Sequence, residues 1–140
     1  MNSMSDRRLF IDTNILVYLF DCDEPAKKAI AEGIFGDNRD IHLSTQVLQE
    51  FYVTVTRKLG RPMSPEQALV AVETFQVFPI AVITHHLVAR GIRRSIDSRL
   101  SFWDALIVET ALAEKADLLV TEDLLDGWQM GPLRVWNPFI

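Results

Sequence analysis

Asp12 is the only charge in the stretch LFIDTNILVYLF, which runs from Leu9 to Phe20. An ionised carboxylate in so apolar a run is costly unless it is paired, hydrogen-bonded, exposed at the end of an element or holding a cation. Three further acids invite the same question. Glu50 shares a polar strip with Gln46, Thr54 and Arg57 at helical spacing. Asp104 follows Trp103 inside the apolar segment SFWDALIVETALAEKA, and Asp123 lies three residues beyond Val120. Each has an ordinary structural reading: Asp12 as a cap for the segment from Thr13, Glu50 as a solvent-facing acid, Asp104 as a capping-box acid after Ser101, and Asp123 as a turn cap. Together they suggest chemistry. Two ionised carboxylates about 5 Å apart repel by roughly 3 kcal/mol at an effective dielectric near 20. Protonation of one member or a bound divalent cation relieves that repulsion. An all-oxygen donor set suits hard cations, so Mg²⁺ or Mn²⁺ is the expected ion. Zinc is disfavoured because His42, His85 and His86 show no ligand spacing.

The elements around these acids alternate. Leu9-Phe10-Ile11 reads as a buried strand ending at Asp12, with Asn14 to Phe20 continuing as a helix. Pro25 in a first turn opens a helix that runs toward Phe35, and Gly36-Asp37-Asn38 closes it. Ile41-His42-Leu43 is a second strand. Ser44 then caps a helix with Val47, Leu48, Phe51, Tyr52, Val55 and Leu59 on its apolar face, which Gly60 and Pro62 terminate. Ser64-Pro65-Glu66-Gln67 combines an N-cap, a first-position proline and a capping-box glutamine, so a helix is expected toward Gln76.

Phe78 to Ile83 supplies a third strand. Thr84 caps a helix carrying Leu87, Val88 and Ile92, with a break at Asp97-Ser98. The helix from Ser101 is apolar on almost every face, which implies burial on several sides. Leu118-Leu119-Val120 forms a fourth strand, Thr121 to Gly127 a polar turn, and Leu133 to Trp136 a last strand. Strands alternating with helices over short connections predict an α/β domain with a central parallel sheet. Ligands of such sheets bind outside the carboxyl ends of the strands, where Asp12 and Asp123 fall. The expectation is one domain over residues 1–140, with an ordered core of about 7–138.

Composition narrows the classes. The formal net charge of −5 argues against a broad electrostatic grip on nucleic acid. Local basic groups exist at Arg57, Lys58 and Arg61 and at Arg90, Arg93, Arg94 and Arg99, where cations also suit helix ends. Cys22 is the only cysteine, no apolar run spans a bilayer, and no secretory leader is legible, so a soluble cytoplasmic protein is expected. Tyr18, Phe20, Phe51, Tyr52 and Trp103 offer base-stacking surfaces, but their helical spacing points to core packing.

FIDTNILVY, STQVLQEFY, SFWDALIVETA and LLVTEDLLDG occur in the order and spacing of the PIN domain. The chain resembles that family over nearly its whole length, and most resembles its VapC-type toxins. The resemblance implies a three-layer α/β/α fold and a metal-dependent endoribonuclease. It implies Asp12, Glu50, Asp104 and Asp123 as the acidic cluster around Mg²⁺ or Mn²⁺, supported by Asn14 and Thr121. It further implies a homodimer and a cognate antitoxin that wraps the groove. Asp126 is left open as a further site acid, and Glu122 is expected to face solvent. With a nuclease in view, Arg57, Lys58, Arg93 and Arg94 become candidate RNA contacts.

The expected activity is hydrolysis of phosphodiesters in single-stranded or looped RNA, as the toxin of a type II toxin-antitoxin pair. A rival from another class is a non-catalytic PIN-like module that grips RNA or a partner. A phosphoryl-transfer enzyme with Asp12 as nucleophile is disfavoured. It would pair Asp12 with a second aspartate and a lysine, but position 14 is Asn, and the only lysine near Asp104 or Asp123 is Lys115.

Overall fold

The computed structural model describes residues 6–38 and 40–140. The single-domain expectation also takes in residues 1–5 and 39, which lie outside the described residues. The chain forms β1 (Arg8–Ile11), α1 (Thr13–Tyr18), α2 (Pro25–Asp37), β2 (Asp40–Ser44), α3 (Thr45–Arg57) and α4 (Pro65–Phe75). It continues with β3 (Ile80–Ala81), α5 (His85–Ser98), α6 (Phe102–Ala113), β4 (Leu118–Val120), β5 (Gln129–Met130) and β6 (Leu133–Trp136). The sheet order is β3-β2-β1-β4-β6-β5. Its pairs are parallel except β5 with β6, so the sheet is mixed rather than wholly parallel. The antiparallel hairpin arises where Gly131 takes a positive φ of 59° between two short strands.

The central strands are apolar because helices cover both faces of the sheet. Leu9, Phe10, Ile11, Leu43, Leu119 and Val120 are completely buried. Phe51 on α3 anchors the layer on one side, with Phe20 and Phe75 meeting it edge-on at centroid separations of 5.6 and 5.2 Å. Helix starts follow the local chemistry. Ser44, Ser64, Thr84 and Ser101 each accept a backbone N–H with the side-chain oxygen, and Ser64 with Gln67 completes a reciprocal capping box.

Two expectations shift. The strand expected over Phe78 to Ile83 is only two residues long, because β3 is an edge strand whose single neighbour, β2, turns into α3 after Ser44. The Thr45 hydroxyl extends that pairing by accepting from the N–H of Ile83. The break expected at Asp97-Ser98 lies one residue later, where Arg99 closes α5 in the left-handed region at φ 57°.

At the amino ends of the central strands the acids have partners within the chain. Arg8 donates to Asp40 at 2.9 Å and to the Glu114 carbonyl at 2.8 Å. The ring nitrogens of His42 lie 2.8 Å from Asp40 and 2.9 Å from Glu114. These contacts tie β1 and β2 to the end of α6. That accounts for His42 structurally rather than as a metal ligand.

α5 and α6 pack as a close pair. A Cβ added at Gly91 would stand 3.3 Å from the Leu106 Cα, from its Cδ1 and from the Phe102 ring. Gly91→Leu is therefore expected to destabilise the fold by about 1–3 kcal/mol through overpacking. A lower midpoint in urea denaturation at unchanged slope would register it; an unchanged midpoint would refute the close-packing account.

Candidate active site

β1 delivers Asp12 to the carboxyl rim of the sheet, where its extended backbone makes it the N-cap of α1. Its side chain is only 6% exposed. Oδ1 accepts from the Thr13 N–H at 2.7 Å and Oδ2 from the Thr121 hydroxyl at 2.8 Å. The capping role expected for Asp12 is thus present, and it does not exclude a second one. Burial raises the carboxyl's pKa above the usual aspartate range. The Thr121 and Thr13 donors offset part of the rise, nearby Asp123 and Glu50 add to it, and the result is about 7.

The other three acids share this field. Burial raises the Glu50 pKa, the Gln46 amide opposes it, Asp104 and Asp123 push it up again, and Lys58 lowers it. Burial likewise raises that of Asp104, with Ser101 opposing and Asp123 reinforcing. The four carboxylates brought in by β1, α3, α6 and the segment after β4 therefore act on one another. As they stand they are not a closed ligand set: among the described residues, no group of three or more His, Cys, Asp or Glu side chains is arranged to hold a metal ion.

The supporting residues fall between the acids. Asn14 donates to Asp123 at 3.0 Å and to the Thr121 hydroxyl at 3.4 Å, while the Asp123 N–H donates to that hydroxyl at 3.1 Å. Thr121 is thus a hub between Asp12 and Asp123. Gln46 was visible only as part of a polar strip, yet it is 3% exposed and donates both to Glu50 at 2.7 Å and to the Trp103 carbonyl at 3.3 Å. Its four-residue spacing from Glu50 was the available signal. Asn14 Oδ1 and Gln46 Oε1, on residues that hydrogen-bond to Asp123 and Glu50, are themselves buried without a hydrogen-bond partner.

Several expectations change at the margins. Glu122 does not simply face solvent: it accepts from the Tyr18 hydroxyl at 2.5 Å and from Lys27 at 3.1 Å. These contacts brace the segment carrying Asp123 against α1 and α2. Asp126 accepts from the Asn137 N–H at 2.8 Å, a role in fixing the carboxyl-terminal segment. Core packing holds for Phe51 and largely for Phe20, but Trp103 is 61% exposed and Tyr52 also reaches the surface. Trp103 is left outside because α6 buries Ala105 to Val108, whereas the residues of its first turn are less covered.

The basic candidates divide. Lys58 lines a cleft of about 290 Å³ with Gln46, Glu50, Thr54 and Trp103, whereas Arg57 is not among that cleft's lining residues. Arg93 and Arg94 line a separate cavity of about 310 Å³ between α5 and α6, where Arg94 is paired with Glu109.

The fold and rim define an α/β domain with an acidic cluster at the carboxyl ends of its parallel strands. A family model described as the PIN domain matches residues 9–124, and the chain belongs to that family. No curated protein sequence matches it significantly. Among solved structures, a toxin-antitoxin complex from Klebsiella pneumoniae includes a chain that superposes with a TM-score of 0.70 at 22% identity, covering 94% of this chain and 98% of that one. VapC20 of Mycobacterium tuberculosis, a toxin that cleaves the sarcin-ricin loop, gives 0.65 at 19% identity over 79% and 86% of the two chains. VapBC2 of Rickettsia felis, bound to a fragment of promoter DNA, gives 0.60 at 22% over 92% and 98%. At such identities the likeness establishes the shared fold.

The raised Asp12 pKa has a signed consequence. The folded state keeps the proton up to about pH 7, whereas an unfolded aspartate loses it near 3.8. The stabilisation is fully present below the unfolded value and is lost as pH rises through about 7. Without added metal, thermal stability should decline between about pH 4 and 7, and Asp12→Asn should flatten that decline. Parallel profiles for both proteins would contradict the buried-acid account.

Proposed function

We propose that the chain is a metal-dependent endoribonuclease of the toxin type, acting on phosphodiesters of single-stranded or looped RNA. The observation that carries this reading is the hydrogen-bonded cluster at the sheet's carboxyl rim: Thr121 holds the buried Asp12, Asn14 ties Asp123 to Thr121, and Gln46 ties Glu50 to the Trp103 carbonyl, next in the chain to Asp104. Membership of the PIN family supports it. A rim of carboxylates with no paired cation is the wrong sign for RNA, whose phosphates it would repel.

The donor chemistry fits Mg²⁺ or Mn²⁺. Four carboxylates supply only oxygen, and the unpartnered Asn14 Oδ1 and Gln46 Oε1 could accept hydrogen bonds from a hydrated ion. Asp12, Glu50, Asp104 and Asp123 would hold it. Bound there, the ion would supply Lewis-acid activation of water and neutralise charge at the scissile phosphate.

The protein's own part is positioning. Thr13 and Thr121 fix Asp12 from two directions, so one rotamer serves both the cap and the site. Asn14 holds Asp123 in line with Thr121, and Gln46 fixes one oxygen of Glu50 and thereby the direction of the other.

The toxin reading extends to partners. The neighbours from Klebsiella pneumoniae and Rickettsia felis are toxin-antitoxin assemblies, and this chain exposes apolar groups on α3 and α4, including Tyr52, Val53, Leu69 and Val70. A cognate antitoxin and a second copy of the chain are the proposed occupants of such surfaces. Among the described residues no helix is long and apolar enough to cross a membrane, and the cytoplasm is the proposed location.

Asp12→Asn and Asp104→Asn should remain folded and lose Mn²⁺-dependent RNA cleavage by at least about 100-fold, the scale on which removing a charge-stabilising group acts. Full activity in either would sink the site assignment. In the native protein Mn²⁺ should raise the melting temperature by mass action, more at pH 8 than at pH 6 because Asp12 must lose its proton to bind. A protein that binds RNA yet shows neither response would be the non-catalytic module.

A further inference from the structure

Trp103 is out of place by the ordinary rules of burial. α6 buries six of its twelve residues, yet the large aromatic side chain next to Asp104 is 61% exposed. It does not stand alone. With Gln46, Glu50, Thr54 and Lys58 it lines the cleft of about 290 Å³ that opens beside the acids. Positions 46, 50, 54 and 58 succeed one another at four-residue spacing along one face of α3, so Lys58 lies at the far end of the row from Gln46.

The platform is tied to the acids. Gln46 is almost wholly buried and donates to both Glu50 and the Trp103 carbonyl, so the backbone that carries the indole and the carboxylate share one anchor. Phe102 meets the Trp103 ring edge-on at 4.9 Å, supporting the indole from the side. Lys58 is close enough to Glu50 to lower its pKa against the effect of the other acids. The cleft therefore carries an aromatic side chain, a cation and one of the four acids, Glu50.

We propose that this cleft is a nucleotide subsite of single-stranded RNA. A base flanking the scissile phosphate stacks on Trp103, and Lys58 takes a neighbouring phosphate. The assignment rests on the ribonuclease reading and names how that site holds its substrate. A stacked base must be unpaired, which selects single strands and loops over continuous duplex. The π-face accepts any base, so the subsite gives affinity and register more than sequence preference.

The test separates the subsite from the activity. Binding of a fluorescent single-stranded oligoribonucleotide is measured by anisotropy in the Asp12→Asn background with Mn²⁺ present, beside a duplex of the same sequence. Cleavage is measured in the otherwise native protein. Trp103→Ala should weaken single-strand binding about 5- to 150-fold, the ratio corresponding to ~1–3 kcal/mol of base stacking. Trp103→Phe should recover most of that loss. Lys58→Gln should reduce the slope of log affinity against log salt by roughly 0.7, one phosphate contact on a single strand.

In cleavage, Trp103→Ala should raise KM more than it lowers kcat. Native affinity and KM in Trp103→Ala, while the native protein cleaves RNA, would overturn the subsite and leave the nuclease standing. Absence of cleavage in the native protein would remove the underlying reading instead. A Trp103→Ala protein with unaltered RNA binding but a changed oligomeric state by light scattering would assign the indole to a protein interface and overturn the proposal.

Discussion

The structure turns on one carboxylate that the fold holds out of water. Asp12 ends a strand whose last three residues are completely buried, and among the described residues it forms no ion pair. Removing a carboxylate from solvent is unfavourable, and the Thr13 N–H and the Thr121 hydroxyl replace only part of its hydration. The remaining cost appears as an acid that ionises near neutrality rather than near pH 4. Elements distant in sequence are recruited to manage it: Thr121 follows β4, and Asn14 links that residue to Asp123.

The two ends of the same strands treat charge in opposite ways. At the amino ends, Arg8 forms an ion pair with Asp40 and the His42 ring bridges Asp40 and Glu114, so β1, β2 and the end of α6 are locked together. At the carboxyl ends four acids influence one another, and among the described residues Lys58 offsets them, at Glu50. The matched end supplies rigidity, and the unmatched end leaves an electrostatic deficit that a ligand from outside can fill. This asymmetry follows the general rule that open parallel sheets place their ligand sites beyond the carboxyl ends of strands.

Most of the scaffold was readable because it rests on local chemistry. Ser64 with Gln67, Ser44, Thr84 and Ser101 mark helix starts by hydrogen bonds spanning three residues, and they lie where spacing places them. What the sequence could not show depends on neighbours supplied by the fold. The apolar run at Phe78 to Ile83 does not carry the information that β2 ends beside it, so the strand shrinks to Ile80–Ala81. Helical spacing points Trp103 to the core, but which side chains of α6 are covered is a matter of tertiary packing, and the indole stays exposed. Glu122 looked free because its partners Tyr18 and Lys27 are about a hundred residues away. The four acids were recognisable through their motifs, but their coupling is set by tertiary distance.

A net charge of −5 also constrains how such a chain can act on RNA. It lacks the broad positive field by which many nucleic-acid proteins gain affinity through counterion release and accelerate encounter. On the proposed reading, binding then rests on short-range terms: a cation held by the acids, a few local basic groups and an aromatic surface. Those terms act over distances comparable to the Debye length of about 8 Å or less, so they discriminate by fit at the site rather than by attraction from afar. On the proposed reading this favours substrates that present a splayed base next to an exposed phosphate. Duplex RNA, which buries its bases and offers chiefly backbone charge, gives such a surface little to hold.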